Sequence, residues 1–191
     1  MPWEKQYDPG TVLDRAMHQF WQAGYAASSI SDLVAATGIN RASLYAGFGG
    51  KRELFLAALR RYDERERARF LARLGAENPP REAILAAFAA AAHGRDGAPA
   101  GCLLVTTAQE MAPHDEAVQA LVTDSFAALR DFFADRVRAA QAEGSVPPAR
   151  PPGATADALL ALFLGLRTLH RAGVDPARRE AVLAQAGALL E

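Results

Sequence analysis

A chain of 191 residues with 21 Lys plus Arg against 22 Asp plus Glu is nearly neutral, is half apolar, and is long enough to bury a substantial core. A formal charge of −1 excludes polyanion binding by bulk charge alone, so the placement of charge must decide whether a nucleic acid is a partner. The single Cys102 excludes an intramolecular disulfide framework, and uncharged apolar runs such as Ala158 to Leu166 fall far short of the ~20 residues that span a bilayer.

The opening MPWEKQYDPG carries acids and a proline where a secretory signal needs a basic and then an apolar stretch, so a soluble cytoplasmic protein is expected. Alanine is the commonest residue, Arg outnumbers Lys 19 to 2, and β-branched residues never alternate over a useful stretch. These are helix-forming habits, and they predict an all-α fold.

The first helix is expected from Thr11 to Ala23, where Val12, Leu13, Ala16, Met17, Phe20 and Trp21 recur on one face and Gly24 closes it. Ser28 or Ser29 caps a short helix through Ile30, Leu33 and Val34 that ends at Thr37-Gly38, and Asn40 caps another from Arg41 to Ala46. After the glycine-rich Gly47 to Gly50, a long helix carries Leu54, Phe55, Ala58, Leu59 and Tyr62. It continues through a mixed-charge segment towards Leu74, where Glu64 with Arg67, and Glu66 with Arg69 or Arg73, read as a solvated face.

Ile84, Ala87, Phe88 and Ala91 mark a helix ending at His93, and Cys102 to Met111 forms a short apolar one stopped by Ala112-Pro113. A helix from about Asp115 to Glu143 follows, on the order of 40 Å long at 1.5 Å per residue. Four prolines between Gly144 and Gly153 predict an extended connection, and two final helices run from Thr155 to Ala172 and from Pro176 to Leu190.

Residues 1–74 hold 11 basic and 8 acidic side chains, whereas 75–191 hold 10 and 14. Between Asp32 and Glu53 there is no acid at all, while Arg41, Lys51 and Arg52 lie there with Ser43 and Tyr45. Two short helices joined by Thr37-Gly38-Ile39, with Leu33, Val34, Ile39 and Leu44 available to pack them together, have the arrangement of a helix-turn-helix. Its second helix would present Arg41, Ala42 and Ser43 to base edges, Arg41 to a guanine and Ala42 to a thymine methyl. Tyr45 and Lys51 would hold phosphates, and Phe48 would plug the space beneath.

The ordered set Val12-Leu13-Asp14, Phe20, Gly24-Tyr25, Ser29 to Leu33, Gly38 to Tyr45 and Phe48 to Phe55 closely resembles the N-terminal module of TetR-family transcriptional regulators. That resemblance implies a DNA-binding domain over residues 1–52 and a larger helical domain over 53–191 that dimerises and binds an inducer. By position it gives Ser29 as a cap and phosphate contact, Arg41, Ala42 and Ser43 as base-facing, and Tyr45 and Lys51 as backbone contacts. Gly47 stands where the family usually has His or another contacting side chain, and Gly50 replaces the usual capping residue.

Ala158 to Leu166 is apolar on every side, and a second copy of the same helix pair, with Val182, Leu183, Ala186, Leu189 and Leu190, is its simplest cover. A twofold dimer would present two reading helices about one DNA turn apart, matching a palindromic operator. Phe88, Cys102, Thr106, Phe126, Phe133, Arg167 and His170, with Met111, Leu129 and Phe163, lie on helices expected to surround the inducer, although most such residues are core.

Cys102 follows Gly101 at a helix start, where unpaired N–H groups favour a thiolate, and Gly101 to Val105 looks like the corresponding piece of some TetR-type repressors that respond to electrophiles or oxidants. The other reading of Cys102 is a small buried apolar filler. The four histidines lack metal-ligand spacing, no catalytic constellation can be placed, and no cofactor is expected. The expected function is a ligand-responsive, homodimeric DNA-binding repressor; the alternative is a small all-α ligand-binding protein or enzyme that binds no DNA.

Overall fold

The computed structural model describes residues 7–95 and 97–191, and its regular structure there is entirely helical. Helix α1 (Pro9–Ala23) begins two residues before the periodic pattern does. The reason is local, because the Asp8 carboxylate accepts from the N–H of Thr11 at 2.7 Å and of Gly10 at 3.3 Å, and Pro9 is tolerated in the first turn.

Helix α2 (Ile30–Thr37) starts with a reciprocal capping box. Its Asp32 N–H donates to Ser29 Oγ at 3.1 Å, and the Ser29 N–H donates to Asp32 Oδ2 at 2.8 Å. Gly38, at φ 77°, turns the chain into the left-handed region that only glycine enters cheaply. Helix α3 (Arg41–Phe48) is capped by Asn40, whose Oδ1 accepts from the Ser43 N–H at 2.8 Å, and it runs two residues further than expected before Gly49 stops it.

Helix α4 (Lys51–Tyr62) starts at Gly50 with no side-chain cap. Its Leu54, Phe55, Leu59 and Tyr62 share one buried cluster with Val12, Ala16, Phe20, Leu33 and Leu44. Phe20 meets Phe55 edge-on with ring centroids 5.0 Å apart. The cut expected after residue 52 is therefore a cut in the chain and not in this core, which also takes in Leu103, Leu104, Val118 and Val122.

A single rod was expected from Lys51 to Leu74, but its middle is a π-helical segment, Asp63–Ala68, leading into α5 (Arg69–Glu77). Within it the expected partners change. Arg67 pairs with Asp63, and Glu66 reaches across to Arg95 instead of pairing along its own helix. Burial pushes the Asp63 carboxyl up, but hydrogen bonds from Arg67 and Ser125 outweigh it and leave the pKa below its ordinary value.

The second core lies among α5, α6 (Pro80–His93), α8 (Glu116–Ala142), α9 (Pro152–Arg171) and α10 (Pro176–Ala188). Phe88, Phe133 and Phe163 pack mutually at its centre, with centroids 5.7 to 5.9 Å apart. Helix α7 (Leu103–Glu110) bridges to the first core. The proline-rich connection is folded back rather than extended: the Gln141 side-chain amide donates to the carbonyls of Pro147 (3.0 Å) and Arg150 (2.7 Å), and Val146 is buried. With Pro152 in its first turn, α9 begins three residues earlier than expected.

Three polar links tie the front of the chain to the rear. Arg171 donates to the carbonyl oxygens of Trp21 and Gln22, Glu110 accepts from the N–H groups of Tyr25 (3.0 Å) and Ala26 (2.6 Å), and Arg52 forks onto Asp115 at 2.6 and 3.0 Å.

Candidate nucleic-acid interface

The periodicity of α3 sorts its eight residues into four strips. Leu44 is completely buried and Phe48 half-buried against the first core, so these two anchor the helix as expected of Phe48. The opposite strip, Ala42 and Ala46, is exposed and small, and Arg41 and Tyr45 form one flank beside it. Tyr45 is the one large apolar-bodied side chain that stands well out of the described surface, at 44% exposure, with the Arg41 guanidinium 5.7 Å from its ring centroid.

Ser43 is half-buried on the other flank, and its N–H is taken by Asn40. Gly47 follows one turn later on the same flank. Lys51 sits at the start of α4 with Nζ 4.3 Å from the Tyr25 ring centroid and 3.4 Å from the Ala26 carbonyl oxygen, which holds its charge beside the start of α2. Ser29 is exposed and its hydroxyl donates to Asp32 at 2.6 Å, an interaction that lowers the Asp32 pKa and keeps the capping carboxylate ionised. No acidic side chain lies within α3 itself. The arrangement is a short, firmly capped helix with a smooth centre, an Arg-Tyr edge and a lysine at its far end, which is what insertion into a groove of an anionic duplex requires.

Where the two cores meet there is a cavity of about 80 Å³, several times the ~10–15 Å³ that admits one water. Of the residues placed around an inducer by spacing, Cys102, Phe126, Leu129, Phe163 and Arg167 line it, together with Trp21, Tyr62 and Arg67, which spacing alone did not single out. Phe88 and Phe133 do not line it, because both are spent in filling the second core. Thr106 lies outside it with its hydroxyl on the Cys102 carbonyl, and so does His170, whose Nδ1 accepts from the Gly101 N–H at 3.3 Å.

Inside the cavity wall, Tyr62 Oη donates to Cys102 Sγ at 3.4 Å. Burial and the adjoining thiol push the Tyr62 pKa well up, so the phenol remains a proton donor. The Trp21 indole Nε1 is buried with no acceptor among the described residues. The wall therefore offers apolar and aromatic area, a thiol and arginine charge to a small molecule. Among the described residues no group of three His, Cys, Asp or Glu could hold a metal ion, and no helix is long and apolar enough to cross a membrane.

Comparison with known proteins converges on one kind of molecule. Residues 12–58 match the profile of bacterial regulatory proteins of the tetR family, and residues 79–186 match that of the tetracyclin repressor-like C-terminal domain. The chain is 33% identical over 178 residues to the HTH-type transcriptional repressor ComR of Escherichia coli strain K12, covering 90% of this chain and 83% of that one. It is 34% identical over 144 residues to the uncharacterized HTH-type transcriptional regulator YezE of Bacillus subtilis strain 168, covering 74% of each. Among solved structures, a cysteine mutant of the transcriptional regulator CifR complexed with 26bp double-strand operator DNA superposes with a TM-score of 0.82 at 29% identity, over 95% of this chain and 96% of that one. The reduced form of E. coli NemR shares the fold, with a TM-score of 0.83 at 19% identity over 95% and 96% of the two chains.

Proposed function

The chain belongs to the TetR family of bacterial regulatory proteins and is a helix-turn-helix transcriptional repressor, not an enzyme; from that premise we propose that it acts as a homodimer on a palindromic operator and is released by a small molecule bound in the cavity between its two cores. The observation that carries the reading is the exposed face of α3, with Arg41, Ala42 and Tyr45 standing clear of the protein while Leu44 is wholly buried. Arg41 reads a base edge, Ala42 and Ser43 line the groove floor, and Tyr45, Lys51 and Ser29 hold the backbone. The DNA complex of CifR supports this use of the fold. A protein doing this work resides with the chromosome, in the cytoplasm.

The dimer contact is assigned to α9 and α10. Leu159, Leu166, Ala186 and Leu190, which the apolar pattern alone would turn towards a partner, are buried in their own core, so the free strip is narrower. It runs along exposed Ala161, Gly165 and Thr168, and the space beside Gly165 is open enough for a second helix to approach closely.

The cavity is placed to couple ligand to DNA. Its wall contains Trp21 from α1 and Tyr62 from α4, both members of the core that positions α2 and α3. A ligand that fits only when these two move apart from Phe163 on α9 favours a second arrangement of the reading heads, in proportion to its difference in affinity for the two. Cys102, Phe126 and Arg167, all in the cavity wall, are among the side chains it would meet.

The test is fluorescence anisotropy with duplex from the protein's own promoter region across a salt series. Saturable binding at dimer stoichiometry that weakens with salt, and that Arg41→Ala reduces at least tenfold, is the expected result. Absence of binding at low salt, or indifference to Arg41→Ala, would refute the placement of the interface on α3.

A further inference from the structure

Gly47 gives one flank of α3 no side chain, yet that flank is filled. The Tyr7 ring lies over Phe48 with centroids 6.5 Å apart and planes 29° from parallel. Its hydroxyl occupies the volume that a Cβ on Gly47 would need. The same hydroxyl is 3.5 Å from the Ser43 carbonyl oxygen, one helical turn earlier, at the outer limit of a hydrogen bond. Tyr7 is half-buried, with its ring seated against Phe48.

The two flanks of α3 are consequently alike. Tyr45 borders the Ala42-Ala46 strip on one side, and Tyr7, reaching over from before α1, borders it on the Ser43-Gly47 side. When a helix enters a major groove ~12 Å wide by its N-terminal end, its first turn meets base edges and the later positions of its flanks meet the two sugar-phosphate walls.

We propose that Tyr7 is a second DNA-backbone contact, a phenol supplied from outside the helix-turn-helix that takes the place of the side chain Gly47 lacks. The inference rests on α3 being the reading helix. The donor is the Tyr7 O–H, and the acceptor class is a phosphodiester oxygen, which makes a stronger partner than the distant Ser43 carbonyl. Because the phenol is neutral, the contact adds affinity without displacing a counterion. Gly47 and Tyr7 form one unit, since any Cβ at position 47 evicts the hydroxyl.

The test uses the full-length protein and a duplex recovered by the wild type from a random pool. Tyr7→Phe keeps the ring on Phe48 and removes only the hydroxyl. It is expected to lower affinity about three- to tenfold, the scale of one hydrogen bond, with the thermal midpoint and the salt slope unchanged. Ethylation interference at one phosphate per half-site should vanish with it. Gly47→Ala should weaken binding to a similar degree, and Gly47→His in a Tyr7→Ala background should recover affinity relative to Tyr7→Ala alone. Wild-type affinity in Tyr7→Phe alongside weakened binding in Tyr45→Phe and Arg41→Ala would overturn the role of Tyr7 and leave the reading helix standing. Wild-type affinity in all three would overturn both.

Discussion

Arg171, the last residue of α9, donates from Nη1 to the carbonyl oxygen of Trp21 at 2.7 Å and from Nη2 to that of Gln22 at 2.8 Å. These are among the carbonyls left without partners at the C-terminal end of α1, where a cation is also favoured by the helix dipole. A residue 150 positions away thus finishes the first helix of the DNA-binding unit.

Arg171→Ala is expected to cost about 1.5–3 kcal/mol, the range for hydrogen bonds made by a charged donor. The loss should be concentrated at the end of α1. Hydrogen exchange is the measurement, with faster exchange at the amides from Phe20 to Ala26 expected and unchanged exchange there counting against the link.

Phe133 and Phe126 lie near each other in sequence on α8 and have different work. Phe133 is fully buried in the second core, so Phe133→Ala should destabilise by about 3–5 kcal/mol. Phe126 faces the cavity, where part of its surface has no neighbour to lose, and Phe126→Ala should cost less than half as much. Urea denaturation at equilibrium decides it, and equal costs would contradict the assignment.

His170 is held below its ordinary pKa of 6.5 by burial and by the charges of Arg179 and Arg167. The unfolded chain then takes up the proton before the native one does, so this contribution is complete above pH 6.5 and is lost as the pH falls from there through the lowered native value. Protonation also removes the acceptor that the Gly101 N–H uses. Thermal midpoints of the wild type should therefore fall more steeply below pH 6.5 than those of His170→Gln, and parallel curves would exclude the effect.

Asp14 is held below its ordinary 3.8, chiefly by its hydrogen bond to Arg61, with Arg65 adding charge. Its contribution is present above that value and is lost as the pH falls through the native one. Both partners are partly exposed, so the effect is small. Asp14→Asn should flatten the acid limb of the stability curve below pH 4, and an unaltered limb would show that the cluster contributes nothing measurable.

The caps at Ser29 and Asn40 and the closing Gly38 were legible in the sequence because each acts within a few residues of itself. So was the acid-free stretch that contains α3. The π-helical turn at Asp63–Ala68 was not, since charges three and four apart suit an α-helix equally well. Helical spacing placed Phe88 and Phe133 on inner faces and could not tell which face fills a core and which borders a cavity. Tyr7 precedes the first periodic residue, so no pattern drew notice to it.

Trp21 belongs at once to the core of the DNA-binding unit and to the cavity wall. For evolution or for biosensor engineering, the two sides of that cavity are therefore unequal. Changes at Trp21 or Tyr62 alter the core that seats α3 along with the cavity wall, whereas changes at Ala90, Phe163 or Leu164 touch only the far wall. If the proposed inducer occupies this cavity, new inducer preferences should accumulate on the α6 and α9 side, where response can diverge while operator choice is inherited intact.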